Sequence, residues 1–199
     1  CDDGSADRTS EIAKTLGAEV VRHRHNLGYG AAQSTLFSEV RKMNPDVMVT
    51  LDADGQHDPA YIPRLIKPIL ENNTDIVIGS RFLSDEAQKL LPPLRKVGIR
   101  LITKLVNLGS YKEITDAQSG FRAYGRKALQ AIQPTELGMG ASTEILVKAK
   151  RANLNIKEVP VIVCYKRNAL RGNPIIQWFR VVLSTIRLMS MRTRGSWQA

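Results

Sequence analysis

The sequence contains only two cysteines, Cys1 and Cys164, which are too few and too far apart for a disulfide framework or a metal knuckle. This scarcity favours a reducing compartment. The chain also lacks any run of about 18 uninterrupted apolar residues, the length that a membrane-spanning helix needs. Aromatic residues make up only 6% of the chain and no stacking motif accompanies the basic residues, so the net charge of +10 does not predict a nucleic-acid-binding module.

Acidic residues are absent from the last part of the chain. Residues 165–199 contain seven basic residues and no Asp or Glu: Lys166, Arg167, Arg171, Arg180, Arg187, Arg192 and Arg194. Within 174–194 the apolar residues fall on one helical face, whereas Arg180, Arg187 and Arg194 recur every seven residues. With Trp178, this pattern predicts an amphipathic helix in the membrane interface; the alternative is a helix packed on the domain core with a solvated basic face.

Strand and helix patterns alternate through the rest of the chain, and 199 residues with 43% hydrophobic content fit one domain with a sizeable core. This alternation predicts an α/β fold with a mostly parallel sheet sandwiched by helices. We expect strands at 18–21, 47–51, 75–79, 121–124 and 156–164. We expect helices at 8–16, 31–43, 59–71, 94–108 and 141–152, and a long loop before Pro93. Pro160 indicates that the last strand lies at an edge.

The most informative cluster follows the unalternating apolar run at 47–51. Asp52, Asp54 and Gln56 are alternate residues at the carboxyl end of a buried strand, where ligands bind in open α/β sheets. All three side chains offer oxygen atoms, the ligands preferred by Mg²⁺ or Mn²⁺ held together with substrate phosphates. A solvated turn is the alternative interpretation. His57 is more simply a neighbour of the helix cap at Asp58 than a ligand.

Three further clusters also lie at predicted strand ends. Asp3 stands at the opening of the sequence, which resembles the end of a strand whose beginning is absent, and there a carboxylate can accept from a nucleobase or a ribose hydroxyl. Arg81 follows the strand at 75–79, and a guanidinium suits bidentate phosphate contact. Asp116 and Arg122 flank a Gln-Ser-Gly-Phe segment before another strand. Glu144 is most simply a first-turn acid favoured by the helix dipole.

Taken together, these segments resemble the family-2 glycosyltransferases of the dolichol-phosphate mannosyltransferase type. The matching text, in the family's order and covering about residues 1–165, is CDDGSADRT, HNLGYGAAQ, VTLDADGQHDPAYIPRLIKPIL, DIVIGSRF, ITDAQSGFRAY and TEIL. The resemblance implies a glycosyltransferase A type of nucleotide-sugar-binding fold over residues 1–165. A basic loop and an amphipathic membrane-interface helix would then occupy 166–199.

The resemblance also implies roles for individual residues. Asp52, Asp54 and Gln56 match the metal motif, and Asp3 matches the nucleotide-contacting acid. Arg81 matches the arginine that binds phosphate near the reaction centre.

Asp116 matches an acid often regarded as a base candidate, although a largely ionised acceptor phosphate would need only an orienting group. Attack by that dianion on an anionic donor needs cations, for which Arg122, Lys166 and Arg167 are candidates.

The implied reaction is inverting transfer of a hexose, with mannose favoured over glucose, from a GDP- or UDP-sugar to polyprenyl or dolichyl phosphate. Mg²⁺ or Mn²⁺ would sit on the donor diphosphate, and the enzyme would associate with the cytoplasmic face of a membrane. The first alternative is transfer to another cell-surface glycan acceptor. The second is a different enzyme class, the sugar-phosphate nucleotidyltransferases. Because the sequence opens on Cys1-Asp2-Asp3, we also expect that the family's first strand precedes this chain.

Overall fold

The computed structural model describes residues 1–108, 114–164 and 181–188. Within these ranges four strands form one sheet in the order β1-β3-β2-β4. They are β1 (Val47–Thr50), β2 (Ile76–Ser80), β3 (Arg122–Gly125) and β4 (Ile156–Pro160). β4 lies at an edge of this sheet, which confirms the prediction from Pro160.

The sheet is mixed, because β3 pairs antiparallel with both β1 and β2. β2 and β4 pair in parallel, so β1, β2 and β4 run in one direction and β3 opposes them. Three of the four strands thus run in the direction expected of a mostly parallel sheet, and β3 is inserted antiparallel between two of them. The carboxyl ends of β1 and β2 still meet at the same sheet edge, and this edge carries the candidate site.

Seven helices are bounded within the described ranges, beside a short 3₁₀ turn at Pro59–Tyr61. They are α1 (Thr9–Thr15), α2 (Tyr29–Met43), α3 (Ile62–Leu70), α4 (Asp85–Leu90), α5 (Pro93–Asn107), α6 (Arg126–Ala131) and α7 (Ala141–Arg151). Residues 181–188 are also helical. None of the helices in this described part is both long and apolar enough to span a membrane.

Helices cover both faces of the sheet. Ile76 and Ile78 of β2 face a core that includes Phe37 of α2 and side chains from α5, α6 and α7. Val77, one position out of phase, faces a second core that includes Leu65 of α3. Because successive side chains of a strand point to opposite faces, this division confirms the sandwich predicted from the sequence.

Three details of the predicted elements are wrong. Residues 18–21 do not form a strand; an isolated parallel bridge pairs Asp2 with Arg22, the residue that follows them. The expected long loop before Pro93 contains α4, whose first turn is capped by the Ser84 hydroxyl, which accepts the N–H of Ala87. The sequence reading also omitted α6, which begins directly after β3.

Candidate active site

The metal-motif loop begins two residues after β1 and is fixed to the domain by His57. The Asp52 N–H donates to Nδ1 of His57 at 3.0 Å, so this imidazole nitrogen is an acceptor. The imidazole ring stacks on Phe121 with 5.0 Å between ring centroids. The His57 side chain is thus buried and fixes the loop, whereas the sequence indicated only a neighbour of the helix cap at Asp58.

Asp54 and Gln56 interact with each other in the same loop. The backbone N–H and the side-chain amide of Gln56 donate to the two carboxylate oxygens of Asp54, at 2.9 and 2.6 Å. Asp54 is exposed, whereas Asp52 and Gln56 are half-buried. The loop therefore holds one carboxylate toward solvent and a second nearer the protein interior.

These residues fit a divalent cation that is shared with a substrate. In the described ranges, no group of three or more His, Cys, Asp and Glu side chains is arranged to hold a cation unaided. Mg²⁺, however, is usually bound through one or two carboxylates together with substrate phosphates, not by an all-protein cage. Asp52 and Asp54 meet that requirement with hard oxygen ligands.

Two motifs that are distant in the sequence meet the Asp52 carboxylate. A Cβ placed on Gly120 of the Gln-Ser-Gly-Phe segment would lie 3.3 Å from Oδ2 of Asp52 and 3.2 Å from the Tyr29 hydroxyl. The absence of a side chain at Gly120 lets this segment approach the first turn of α2 and the metal-motif loop together. The structure thus brings three of the sequence-predicted segments to one point at the sheet edge.

Burial and the surrounding charges act in opposite directions on the ionisation of Asp52. Burial raises the pKa of the Asp52 carboxyl, while the nearby guanidinium groups of Arg81 and Arg95 act to lower it. Burial likewise lowers the pKa of His57, which favours the neutral imidazole that accepts the Asp52 N–H. Burial and the Asp52 charge raise the pKa of Tyr29 to about 12, so its hydroxyl stays protonated.

Arg81 and Asp116 form a buried bidentate ion pair beside this point. Nε and Nη2 of Arg81 donate to Oδ2 and Oδ1 of Asp116 at 2.6 and 2.7 Å, and the Arg81 N–H donates to Oδ2 at 3.2 Å. The Asp116 side chain is fully buried. Burial acts to raise the pKa of the Asp116 carboxyl, but the Arg81 guanidinium outweighs it and the pKa lies below its ordinary value.

Glu158, which sequence reasoning missed, supports the segment that carries Asp116. Its carboxylate accepts from the N–H and hydroxyl of Thr115 at 2.8 and 2.9 Å and from the N–H of Asp116 at 3.0 Å. Burial raises the pKa of the Glu158 carboxyl. Nothing in the sequence marked Glu158, because it lies within the β4 pattern and 42 residues from Asp116.

Asp3 lies at the start of the chain and organises the loop before α2. Its carboxylate accepts the N–H groups of Leu27 and Gly28 at 2.9 and 2.8 Å. It also lies 2.7 Å from Nδ1 of His23. Burial acts to raise the pKa of Asp3, but its hydrogen bonds outweigh burial and bring the pKa below its ordinary value. The hydrogen bond with His23 makes the largest of these contributions. Asp3 therefore acts within the described residues as the anchor of the Asn-Leu-Gly segment.

Arg122 and Glu144 are both buried within the domain. Arg122 is 1% exposed, and its Nη1 and Nη2 donate to the carbonyl oxygens of Ser142 and Ala117 at 2.9 Å each. Arg122 is therefore enclosed in the core of the described residues, and its assignment as a cation for the acceptor phosphate stays a prediction.

Glu144 is also buried, where it accepts from the N–H groups of Thr135 and Glu136 and pairs with Lys148. Its position agrees with a structural first-turn acid.

The predicted basic segment can be followed only in part. Lys166, Arg167 and most of 174–194 lie outside the described residues. In the 181–188 helix, Val181 and Thr185 are buried, and the Ser184 hydroxyl donates to the Glu136 carboxylate at 3.0 Å. One face of this helix thus packs on the domain, as the alternative interpretation required, whereas Leu183 is 65% exposed.

Known proteins resemble the chain in sequence and in fold. Residues 1–133 match the family described as glycosyl transferase family 2. The UDP-N-acetylglucosamine–dolichyl-phosphate N-acetylglucosaminyltransferase of Methanococcus voltae is 34% identical over 203 residues, covering 90% of this chain and 80% of that protein. The dolichol-phosphate mannosyltransferase of Pyrococcus furiosus is 32% identical over 189 residues, covering 90% of this chain and 52% of that protein.

Among solved structures, glucosyl-3-phosphoglycerate synthase from Mycobacterium tuberculosis, in complex with Mn²⁺, UDP and glucosyl-3-phosphoglycerate, matches with a TM-score of 0.70. The identity is 21%, and the match covers 95% of this chain and 67% of that structure. This likeness shows the fold.

Proposed function

Because this chain belongs to glycosyl transferase family 2 and has the glycosyltransferase A type of α/β fold, we propose that it transfers a hexose from a nucleotide-diphosphate sugar to polyprenyl or dolichyl phosphate. The observation that carries this proposal is the meeting of the metal-motif loop and the Gln-Ser-Gly-Phe segment at the Asp52 carboxylate. Relatives at 34% and 32% identity are named for transfer to dolichyl phosphate, which supports the acceptor.

Asp52 and Asp54 would hold Mg²⁺ or Mn²⁺ against the donor diphosphate, with Gln56 supporting Asp54. When bound, the cation supplies Lewis-acid stabilisation of the charge that develops on the leaving nucleoside diphosphate. Arg81 adds a positive charge on the same side, since its field already acts on Asp52. His57 would fix the backbone of Asp52 by accepting its N–H, and the Tyr29 hydroxyl lies beside the Asp52 carboxylate at Gly120.

Asp116 serves as an orienting group in this proposal. A fully buried carboxylate with a lowered pKa and a bidentate guanidinium is poorly suited to accept a proton. The acceptor phosphate needs no base, because a phosphate monoester with a second pKa of about 6 is largely dianionic at neutral pH. Asp116 therefore fixes Arg81, and Arg81 acts on the substrate.

A donor screen identifies which hexose and which nucleotide the enzyme uses. Labelled GDP-mannose, UDP-glucose and UDP-N-acetylglucosamine are each offered with dolichyl phosphate, and the labelled lipid product is measured after organic extraction. Mannose is the preference implied by the sequence resemblance. Absence of labelled lipid with every donor would contradict the lipid-phosphate acceptor.

The metal is tested in the same assay with Asp54→Ala. We expect transfer to require Mg²⁺ or Mn²⁺ and to collapse in this variant, because one of two hard oxygen ligands is lost. Asp46→Ala is the matched control, since Asp46 lies at the opposite end of β1, is 83% exposed and pairs with Arg126. Full transfer in excess chelator would contradict the metal requirement while leaving the acceptor assignment standing.

A further inference from the structure

A carboxylate occupies a position of β4 where the alternation of the sheet predicts an apolar side chain. Glu158 is in register with Ile78 of β2, and because the two strands run parallel, both side chains point to the same face of the sheet. Ile78 is completely buried in the core on that face, and Ile156, two residues before Glu158, packs against the same core. Burying an ionised carboxylate costs free energy unless hydrogen bonds compensate it. The contacts of Glu158 therefore explain its position.

Three neutral donors contact Glu158, and they belong to two consecutive residues. Oε2 accepts from the N–H and the hydroxyl of Thr115 at 2.8 and 2.9 Å, and Oε1 accepts from the N–H of Asp116 at 3.0 Å. Burial raises the pKa of the Glu158 carboxyl, and the charge of Asp116 adds to this rise. A carboxylate kept here against both effects is suited to hold the backbone at 115–116.

One path of hydrogen bonds leads from Glu158 through Asp116 to the Arg81 guanidinium. Glu158 holds the backbone N–H of Asp116, and the Asp116 carboxylate accepts from Nε and Nη2 of Arg81 at 2.6 and 2.7 Å. A shift of the Asp116 backbone would move its carboxylate and, with it, the guanidinium that the carboxylate orients. Glu158 therefore acts on the side chain of Arg81 through one intermediate residue.

A second path leads to the backbone on both sides of Arg81. The hydroxyl oxygens of Thr115 and Ser80 lie 2.6 Å apart, and the Ser80 hydroxyl accepts the N–H of Phe82 at 3.1 Å. Because an ionised Glu158 can only accept, the Thr115 hydroxyl donates to it, so the Ser80 hydroxyl must donate to Thr115. Ser80 is completely buried, so this path is shielded from water.

Both paths begin at one carboxylate and end at Arg81. A displacement of about 1 Å in a group that contacts the substrate can lower a rate by about 100-fold. We infer that Glu158 is a positioning residue for Arg81: it fixes the backbone at 115–116 and, through Asp116 and Ser80, the guanidinium that faces the donor diphosphate. This inference rests on the role given to Arg81 in the proposed function.

Glu158→Gln is the first test. Glutamine has the same size, but it carries one oxygen and one NH₂ group, so it cannot accept from both Thr115 and the Asp116 N–H. We expect kcat to fall by about 10- to 100-fold while the KM for the donor changes less than about threefold, because Arg81 acts on charge that develops in the transition state. Two reactions are measured: transfer to polyprenyl phosphate, and release of nucleoside diphosphate to water without lipid.

A double-mutant cycle with Arg81→Lys distinguishes positioning from a general loss of structure. Lysine keeps the positive charge but loses the planar group that Asp116 orients. If Glu158 acts through that group, Glu158→Gln should lower kcat by less than about threefold in the Arg81→Lys background. A general loss of structure would lower kcat by the same factor in both backgrounds.

Variants of Thr115 test the second path alone. Thr115→Val removes the hydroxyl between Glu158 and Ser80 but leaves the Asp116 N–H in place, so kcat should fall less than in Glu158→Gln. Thr115→Ser keeps the hydroxyl and should retain most of the rate.

Thr74→Val is the matched control at the opposite end of β2 and β4. The Thr74 hydroxyl donates to the Asn155 carbonyl oxygen at 2.8 Å and so joins the residues that precede these two strands. This variant should lower the melting temperature about as much as Thr115→Val does, but keep the wild-type kcat.

The inference is overturned if Glu158→Gln keeps the wild-type kcat, if it loses the same factor in the Arg81→Lys background, or if Thr74→Val slows the reaction as much as Thr115→Val. If Glu158→Gln does not fold, the comparison of Thr115→Val, Thr115→Ser and Thr74→Val decides. A wild type that releases nucleoside diphosphate to water but forms no labelled lipid would contradict the proposed acceptor, and the effect of Glu158 would still be measured in water. Absence of both reactions in the wild type would overturn the proposed function and this inference together.

Discussion

Arg81 and Asp116 are joined by two parallel hydrogen bonds of 2.6 and 2.7 Å, although 35 residues separate them in the chain. Both side chains are almost completely buried, at 5% and 0% exposed. One residue follows β2 and the other lies in the segment before β3, so the pair ties two loops together at the sheet edge. The positive charge next to Asp52 is therefore held by a carboxylate that solvent does not reach.

The first prediction concerns stability. Asp116→Asn should lower the free energy of unfolding by about 3 to 5 kcal/mol, because it leaves a buried guanidinium without its counter-ion. Urea denaturation at about pH 7 measures the change. Asp46→Asn is the control; Asp46 forms an ion pair with Arg126 that solvent screens, and its loss should have little effect.

The Arg81–Asp116 ion pair also predicts how the stability difference between wild type and Asp116→Asn depends on pH. The pKa of Asp116 is lower in the folded chain than the ordinary unfolded value of about 3.9. Its contribution is therefore fully present above about pH 4 and is lost as the pH falls through the lower folded value. The gap between wild type and Asp116→Asn should narrow below about pH 4. A gap that stays constant on acidification would mean that the ion pair is not its source.

The second prediction separates an orienting role of Asp116 from a proton-accepting one. If Asp116 only holds Arg81, the transfer rate of Asp116→Asn should fall but keep the rise at about pH 6 that the acceptor phosphate produces. The measurement is a pH–rate profile of wild type and variant with saturating donor. An ionisation that is present in the wild type and missing from the variant would identify Asp116 as a base.

The sequence predicted the parts of the site that local patterns determine. Asp52 and Asp54 were located because a buried apolar run ends abruptly on them, and Arg81 because a second such run ends there. The helices α2, α5 and α7 were predicted within two residues of their ends, since their apolar spacing is regular. These features depend on neighbours in the chain.

Other features depend on contacts between distant residues. The burial of Arg122 is one example, because it follows from the insertion of β3 between β1 and β2, where both faces of β3 are covered. The acceptor role of His57 depends on its packing against Phe121, 64 residues later. Residues 18–21 have a sequence suited to a strand but do not form one. Among the described residues, the only pairing beside them is the isolated bridge between Asp2 and Arg22.

The third prediction tests His57 as a positioning residue for Asp52. His57→Phe keeps a ring to stack on Phe121 but removes the acceptor for the Asp52 N–H, and His57→Asn keeps an acceptor without the ring. If the hydrogen bond orients Asp52, His57→Phe should weaken activation by Mn²⁺ about 10- to 100-fold, as loss of groups that orient metal ligands usually does.

His57→Asn is the partner measurement. It should restore most of the Mn²⁺ affinity, read from the metal dependence of transfer and from direct Mn²⁺ binding by electron paramagnetic resonance in the presence of nucleotide. Equal losses in both variants would assign the effect to packing on Phe121. If both variants bind Mn²⁺ as tightly as the wild type does, His57 does not position Asp52.

The last prediction concerns Gly30, which lies in the first turn of α2, next to Tyr29. Its N–H donates to the Leu137 carbonyl oxygen at 2.8 Å, so the loop at 136–137 lies directly on the helix. A Cβ at Gly30 would lie 1.9 Å from the Glu136 carbonyl oxygen and 2.7 Å from the Leu137 carbonyl carbon. Both are backbone atoms, which cannot rotate away as a side chain can.

Gly30→Ala should therefore destabilise the protein by about 1 to 3 kcal/mol through overpacking, although the same change inside an ordinary helix stabilises by about 1 kcal/mol. Thermal and urea unfolding measure the effect. Gly138→Ala is the control in the same loop, since its Cβ would meet only a Glu136 side-chain oxygen at 4.0 Å. Because Tyr29 precedes Gly30 and its hydroxyl lies beside Asp52, the variant should also weaken transfer. If Gly30→Ala is as stable and as active as the wild type, the 136–137 loop must yield to the added methyl group, and its contact with α2 does not hold Tyr29 against the site.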